Sequence, residues 1–307
     1  MSNMSVSLSP HVRSENTTQK IMRNVIFALL PTTIFGIVWF GWGALLTVAL
    51  SCVSALLSEF LMVKALKRPF TLNDGSALVT GLLLGLTLPA GCPWYVPVLG
   101  SVFAICIAKQ VFGGLGDNFV NPALAGRAFL LASFPVAMTS FPTSRFMVDA
   151  VSTATPLSSE FAGTLTKMDA FLGLMSGSIG EVCKVALLLG GIYLVIRQII
   201  DWRIPVAYLG TLVVLTAVTG GDPLDAVLLG GTMLGAIFMA TDYVTSPVST
   251  WGRVVFGVGI GIINFAIRKF GAYPEGVTYA ILLMNIASPL IERFTRPHKY
   301  GEVKKNA

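Results

Sequence analysis

The chain of 307 residues is 54% hydrophobic and 12% charged, about half the charged share of a soluble domain, and its mean hydropathy is +0.76. These values exclude a string of soluble domains and predict one integral membrane domain. Although the formal net charge is +6, Lys and Arg lie at the ends of apolar segments, which is typical of topology anchors and argues against binding of nucleic acid.

Ten apolar segments long enough to cross or enter a bilayer follow in chain order. They are 23–40, 43–62, 75–89, 93–112, 121–138, 180–199, 204–220, 224–241, 251–268 and 275–292. The pattern predicts an all-α integral membrane protein with about ten transmembrane helices. The first twenty residues are polar and lack the core of a cleavable signal peptide, so we expect the helices themselves to insert the chain.

The third and eighth segments are interrupted by glycine and proline. Paired broken segments of this kind are typical of repeats whose half-helices meet near the membrane centre. We therefore expect two five-helix repeats with broken helices, 23–138 and 180–292. The remaining parts are an N-terminal tail (1–22), a loop (139–179) and a C-terminal tail (293–307).

The distribution of positive charge predicts the orientation of these segments, because Lys and Arg are retained on the cytoplasmic side. With both termini in the cytoplasm, five basic residues face outward: Arg145, Lys167, Lys184, Arg268 and Lys269. Fifteen face the cytoplasm: Arg13, Lys20, Arg23, Lys64, Lys67, Arg68, Lys109, Arg197, Arg203, Arg253, Arg293, Arg296, Lys299, Lys304 and Lys305. The 139–179 loop is then extracytoplasmic.

Seven ionisable residues lie in or beside the apolar segments, where charge is costly and often functional. They are Glu59, Asp74, Lys109, Arg127, Asp222, Asp225 and Asp242. All but Arg127 fall near a predicted helix end, so most are expected to be interfacial anchors. Asp74 and Asp242 occupy comparable places beside the two broken segments, which makes them candidates for a second flavin site or an ion site.

The four cysteines, Cys52, Cys92, Cys106 and Cys183, form no C-x-x-C pair. We therefore expect neither a zinc site nor a self-contained iron–sulfur cluster, and we expect no metal ligands in this chain.

The 139–179 loop contains an ordered run of small and hydroxyl residues. Asp149, Ser152, Thr153, Ala154 and Thr155 fit the pattern D-x-x-[ST]-x-A-T, which ordinary residue frequencies would produce by chance in roughly one chain in a hundred of this length. Small neighbours leave a threonine hydroxyl accessible to a modifying enzyme. The alternative interpretation is a hydroxyl-rich connector in which Asp149 caps a turn.

This pattern resembles the flavinylation motif recognised by an FMN transferase, which transfers FMN from FAD onto the last threonine as a phosphoester. The whole chain resembles the D-subunit family of the Rnf electron-transport complex and, more distantly, the B subunit of the sodium-translocating NADH:quinone oxidoreductase. Four further segments carry the resemblance: 72–77 (LNDGSA), 121–127 (NPALAGR), 241–247 (TDYVTSP) and 274–279 (PEGVTY).

The resemblance implies covalent FMN on Thr155, with Asp149, Ser152, Thr153 and Ala154 as the surrounding motif. Thr153 is an alternative acceptor, because two threonines flank Ala154 and the family often has glycine at position 153. It also implies a second, non-covalent flavin such as riboflavin between the two halves. The location implied is the bacterial cytoplasmic (inner) membrane.

The implied function is that of a membrane subunit of an ion-translocating ferredoxin:NAD oxidoreductase, which relays electrons across the membrane while the complex moves Na+ or H+. The chain has no G-x-G-x-x-G fingerprint for binding a dinucleotide such as NAD. Iron–sulfur, flavin and other membrane subunits must therefore supply the rest of the enzyme. Three alternatives remain at this point. They are the B subunit of a sodium-translocating NADH:quinone oxidoreductase, a channel or transporter for a small polar solute with the same repeats, and a scaffold subunit whose motif receives no flavin.

Overall fold

The computed structural model describes residues 17–68, 72–141, 167–271 and 275–296. Within these ranges every regular element is a helix, in agreement with the all-α prediction. Three of the helices are long and apolar enough to cross a membrane: Thr18–Phe40, Trp42–Ala65 and Thr250–Phe270.

The first half of the chain forms helices α1 to α6. These are α1 (Thr18–Phe40), α2 (Trp42–Ala65), α3 (Ser76–Leu86), α4 (Tyr95–Val102, continued as a π-helix over Phe103–Gln110), α5 (Pro122–Ser133) and α6 (Pro135–Thr139). A 3-10 turn, Leu72–Asp74, precedes α3. The Asn121 side chain caps α5 by accepting from the N–H groups of Ala123 and Leu124, a typical helix start with proline in the next position.

The second half forms helices α7 to α13. These are α7 (Lys167–Leu172), α8 (Lys184–Ile196), α9 (Arg203–Val218), α10 (Pro223–Leu228), α11 (Thr232–Leu234, continued as a π-helix over Gly235–Met239), α12 (Thr250–Phe270) and α13 (Val277–Thr295). Each of the ten predicted segments overlaps one of the described helices.

Helix breaks fall where the sequence places proline or glycine. The segment predicted over 121–138 is divided at Phe134, because Pro135 cannot donate a backbone hydrogen bond to continue α5. The segment predicted over 224–241 is interrupted between α10 and α11, where Gly230 has φ of 69°, a conformation that favours glycine. Helix α3 has 11 residues and ends before Pro89. Its length is about half of what a bilayer requires.

The packing of the helices follows the same scheme in both halves. Helix α2 packs on α3 and α4, and α9 packs on α10 and α12. Helix α1 contacts α8, and α5 contacts α13. The α1–α8 crossing is close, since a Cβ atom on Gly190 would overlap the carbonyl oxygen of Ala28. The core therefore includes residues from both halves, and α3 and the π-helical continuation of α11 line their junction.

Candidate functional site

A cavity lies between the two halves, with about 80 Å³ of space for the centres of water-sized molecules. Its walls combine the start of α3, the end of α11, the first turns of α1 and α5, and the end of α8. Apolar side chains such as Leu83, Ile237 and Phe238 form most of the lining. The polar members are Ser76, Thr80, Lys109, Asn118, Asn121, Thr241, Asp242 and Tyr243.

The cavity offers one buried hydrogen-bond acceptor without a partner. Asn118 is 4% exposed, its amide N–H donates to the carbonyl of Val120 at 3.1 Å, and its Oδ1 has no hydrogen-bond partner. Asn121, by contrast, is fully engaged, because it caps α5 and donates to the carbonyl of Met239 at 3.2 Å. A buried acceptor without a partner is uncommon in folded proteins and is usually explained by a water molecule, an ion or a ligand that donates to it.

The cationic group in the cavity wall is neutralised by its own neighbours. The Lys109 ammonium donates to both carboxylate oxygens of Glu59 at 2.9 and 3.0 Å and to Ser76 Oγ at 2.6 Å. These three acceptors use all three N–H donors of a lysine. Gln110 also donates to Glu59 Oε1, at 3.0 Å. Lys109 therefore has no remaining donor for an anionic ligand.

Asp242 and Asp74, predicted as a pair from their positions, have unequal roles. Asp242 lines the cavity, and burial raises the pKa of its carboxyl, opposed by hydrogen bonds from the Val244 backbone and the Thr245 hydroxyl. Asp74 does not line the cavity. Its Oδ1 accepts from the backbone N–H of Ser76 at 2.7 Å and from the Ser76 hydroxyl at 2.5 Å, so it positions a residue that does line it.

A second polar feature, an ionic cluster, is buried beyond the cavity. Arg127 of α5 is 5% exposed; its Nη1 donates to the carbonyl of Thr87 at 2.8 Å and lies 3.5 Å from Glu181 Oε1. Its Nη2 donates to Glu275 Oε2. The guanidinium thus joins the C-terminal end of α3 to carboxylates from the second half.

Two further cations complete the ionic cluster. The Lys184 ammonium donates to the carbonyl of Glu181, and Lys184 is 0% exposed. Arg268 of α12 donates to the carbonyls of Ala226 and Leu229 at 2.7 and 3.0 Å and to the Thr232 hydroxyl at 2.7 Å. Arg268 therefore satisfies the free carbonyls at the end of α10, as Arg127 does at the end of α3.

These contacts correct two expectations. Glu59 and Lys109 are not interfacial anchors, because their side chains are 1% and 2% exposed and form a buried ion pair. Lys184 and Arg268 are not outward-facing charges, since they lie within the ionic cluster. Removing them leaves Arg145, Lys167 and Lys269 on the side predicted to face outward, and removing the equally buried Lys109 leaves fourteen on the side predicted to face the cytoplasm. This change strengthens the charge asymmetry from which the orientation was predicted.

Sequence reasoning missed Glu181, Lys184 and Arg268 as members of a site. Lys184 and Arg268 lie near the ends of apolar segments, where a surface position is the ordinary expectation. Glu181 begins the sixth segment, only three residues before Lys184, and that acid–base spacing inside an apolar segment was the available signal. Glu275 was noted only within the 274–279 segment that carries the family resemblance.

The predicted flavinylation motif, Asp149 to Thr155, lies outside the described residues. On one side of it the chain is described up to Phe141, just after α6, and on the other it resumes at Lys167, the first residue of α7. The Lys167 ammonium pairs with Asp222, the N-cap of α10. That hydrogen bond lowers the pKa of the Asp222 carboxyl and raises the pKa of Lys167. The loop is thereby attached to the fold beside the second broken segment.

Comparison with known proteins gives close relatives over the full length. The model of the NQR2, RnfD, RnfE family matches residues 5–301. The D subunit of the Na(+)-translocating ferredoxin:NAD(+) oxidoreductase complex of Acetobacterium woodii is 50% identical, covering 99% of this chain and 98% of the relative. The proton-translocating counterpart of Clostridium ljungdahlii is 44% identical over 96% of both chains. The D subunit of the ion-translocating oxidoreductase complex of Alcanivorax borkumensis is 40% identical, covering 98% and 97%.

Proposed function

The chain belongs to the NQR2, RnfD, RnfE family, and from this premise we propose that it is the D-type membrane subunit of an ion-translocating ferredoxin:NAD oxidoreductase complex. The observation that carries the proposal is 50% identity to such a subunit over 99% of the chain. One relative is named as Na+-translocating and another as proton-translocating, so the coupling ion varies within the family. Iron–sulfur, flavin and other membrane subunits supply the remaining steps.

The proposed covalent cofactor is FMN, attached through its phosphate to the hydroxyl of Thr155 by an FMN transferase. Asp149, Ser152, Thr153 and Ala154 form the motif that the transferase reads. Small side chains on both sides leave the threonine hydroxyl unhindered, and Pro156, which lacks an N–H, keeps the following chain out of a helix. Thr153 is the alternative acceptor.

A second flavin, bound without a covalent bond, is proposed for the cavity between the halves. Its apolar walls suit a flat aromatic ring, and the free Oδ1 of Asn118 would accept from a ring N–H or a ribityl hydroxyl. Because the Lys109 ammonium is already engaged by Glu59 and Ser76, it has no donor left for a phosphate, and the lining favours a flavin without phosphate, such as riboflavin. A flavin accepts electrons singly or in pairs and would link iron–sulfur carriers to two-electron donors.

The proposed organisation is ten membrane segments in two inverted five-helix repeats, with tails 1–22 and 293–307 in the cytoplasm of a bacterial cell and the loop 139–179 outside the cytoplasmic membrane. Two sets of contacts support it. Corresponding helices meet, α1 with α8 and α5 with α13. Ser76, the first residue of α3, and Thr232, the first residue of α11, each accept a hydrogen bond from a cation near the end of the fourth helix of the same half, Lys109 and Arg268.

Purification of the complex through an affinity tag on this subunit tests the proposed function. We expect ferredoxin-dependent reduction of NAD+ in the purified material, and a decrease of at least about tenfold in the Thr155→Val complex, because the cofactor carries the redox step. The Thr139→Val complex, altered outside the motif, serves as the matched control. Full activity in an assembled Thr155→Val complex would contradict the proposal.

A further inference from the structure

Four of the helices that wall the cavity, α3, α5, α8 and α11, also carry residues that contact or belong to the ionic cluster. Along α3 the lining runs from Ser76 to Leu83, and the next turn presents the carbonyl of Thr87 to Arg127. Along α5, Arg127 lies one turn beyond the lining residue Ala123. In α8 the lining residue Leu194 lies near the C-terminal end, whereas Lys184 is the first residue. In α11 the lining residues Ile237 and Phe238 lie in the π-helical continuation, whereas Thr232 is the first residue. At a rise of 1.5 Å per residue, Thr87 and Arg127 lie about 6 Å farther along their helices than the lining residues Leu83 and Ala123.

The groups around the Arg127 guanidinium are those that a hard metal cation would require. They are the Thr87 carbonyl at the C-terminal end of a broken helix, Oε1 of Glu181 and Oε2 of Glu275. In addition, Oε1 of Glu275 has no hydrogen-bond partner. Carbonyl and carboxylate oxygens are the ligands that hard cations prefer. In this structure the positive charge beside these oxygens is the guanidinium of Arg127, which is fixed on α5.

The neighbouring charges also disfavour a mobile cation. Lys184, which is fully buried, and Arg268 lie in the same cluster, so three cationic side chains face the two carboxylates of Glu181 and Glu275. Repulsion between like charges is screened little in a buried environment. A Na+ ion moving from the cavity toward the opposite face would have to displace Arg127 from its oxygens while remaining close to the other two cations.

We propose that Arg127 is a tethered cation that occupies a cation-like oxygen site between the cavity and the opposite face, and so blocks passage of Na+ through the centre of this subunit. The Na+ or H+ moved by the complex then takes another route. This inference concerns ion permeation and does not depend on either flavin, so its failure would leave the redox proposal intact.

Passive uptake of 22Na+ by liposomes containing the whole complex, without any electron donor, tests this block. The Arg127→Gln complex should take up 22Na+ at least about tenfold faster than the wild type, since the substitution leaves Glu181, Glu275 and the Thr87 carbonyl as an unoccupied oxygen site. The Arg127→Lys complex, which keeps the charge, should remain as tight as the wild type. The Arg253→Gln complex is the matched control, because Arg253 pairs with Asp201 outside the ionic cluster.

Two further readouts separate the block from a merely structural role of Arg127. Assembly is checked by gel filtration and flavin content, and uptake is compared only between assembled complexes. The double variant Arg127→Met/Glu275→Met replaces a buried pair by apolar side chains, which proteins often tolerate, and it retains Glu181. We expect at least threefold faster uptake from it. Wild-type uptake in either assembled variant, or an equal increase in Arg253→Gln, would overturn the proposal.

Discussion

At the scale of single residues, the ion pair between Lys109 and Glu59 has more effect on stability than any exposed pair. Both side chains are almost fully buried, and Ser76 and Gln110 complete their hydrogen bonds. Removing one partner of such a pair leaves a buried charge without compensation, whereas an exposed pair contributes little.

We therefore expect Lys109→Met to lower the free energy of unfolding by roughly 3–5 kcal/mol, measured by SDS-induced unfolding of the purified subunit. Lys167→Met, which removes an exposed partner of Asp222, is the control and should change it by less than about 1 kcal/mol. The double variant Lys109→Met/Glu59→Leu should recover much of the loss. Equal stability of Lys109→Met and wild type would contradict the assignment.

The orphan acceptor of Asn118 gives a second prediction at this scale. Asn118→Leu removes the acceptor from the cavity wall, and one lost hydrogen bond in a buried site weakens binding by about 5- to 30-fold. We expect the purified complex to lose flavin that is released by denaturation, while covalent FMN is unchanged. Asn24→Leu, which breaks a hydrogen bond to Tyr193 away from the cavity, should keep its extractable flavin. Full retention of extractable flavin in Asn118→Leu, with a loss in Asn24→Leu, would exclude Asn118 from the flavin site.

At the scale of helices, close crossings depend on glycine at particular positions. A Cβ atom on Gly190 would meet the backbone of Ala28 in α1, whereas one on Gly210 of α9 would have no heavy atom within 4 Å. Gly190→Ala should destabilise the protein by about 1–3 kcal/mol, because the α1 backbone must shift. Gly210→Ala should change stability by less than about 1 kcal/mol, in the favourable direction. Stability is measured by SDS-induced unfolding. An equal loss of stability in Gly190→Ala and Gly210→Ala would mean that α1 and α8 do not cross at Gly190.

Helix positions were largely predictable from the sequence, because apolar segments, prolines and glycines act locally. The overlap of all ten predicted segments with described helices reflects this. Proximity between distant segments was not predictable in the same way. Arg127 was identified as a charge within a helix, but its partners Glu181 and Glu275 come from other elements, and no local pattern specifies which segments will meet. The cavity wall at Asn118 was missed for the same reason.

At the scale of the whole molecule, the orientation in the membrane depends on where the remaining charges lie. A variant with the four native cysteines replaced and one cysteine introduced at Ser159 should react with a membrane-impermeant maleimide in intact spheroplasts, because the 139–179 loop is expected outside. A cysteine introduced at Val248, which is exposed between α11 and α12, should react only after lysis. Protection of position 159 until lysis would reverse the orientation.

The position of the covalent flavin is the central claim about the molecule, and in-gel fluorescence after denaturing electrophoresis tests it most directly. When the protein is produced together with the FMN transferase, we expect a flavin-fluorescent band from the wild type and from Thr153→Val, and none from Thr155→Val. Peptide mass spectrometry should locate the added FMN on the fragment that contains Thr155. A wild-type band without fluorescence would contradict covalent attachment, and fluorescence that persists in Thr155→Val would place the flavin on another residue.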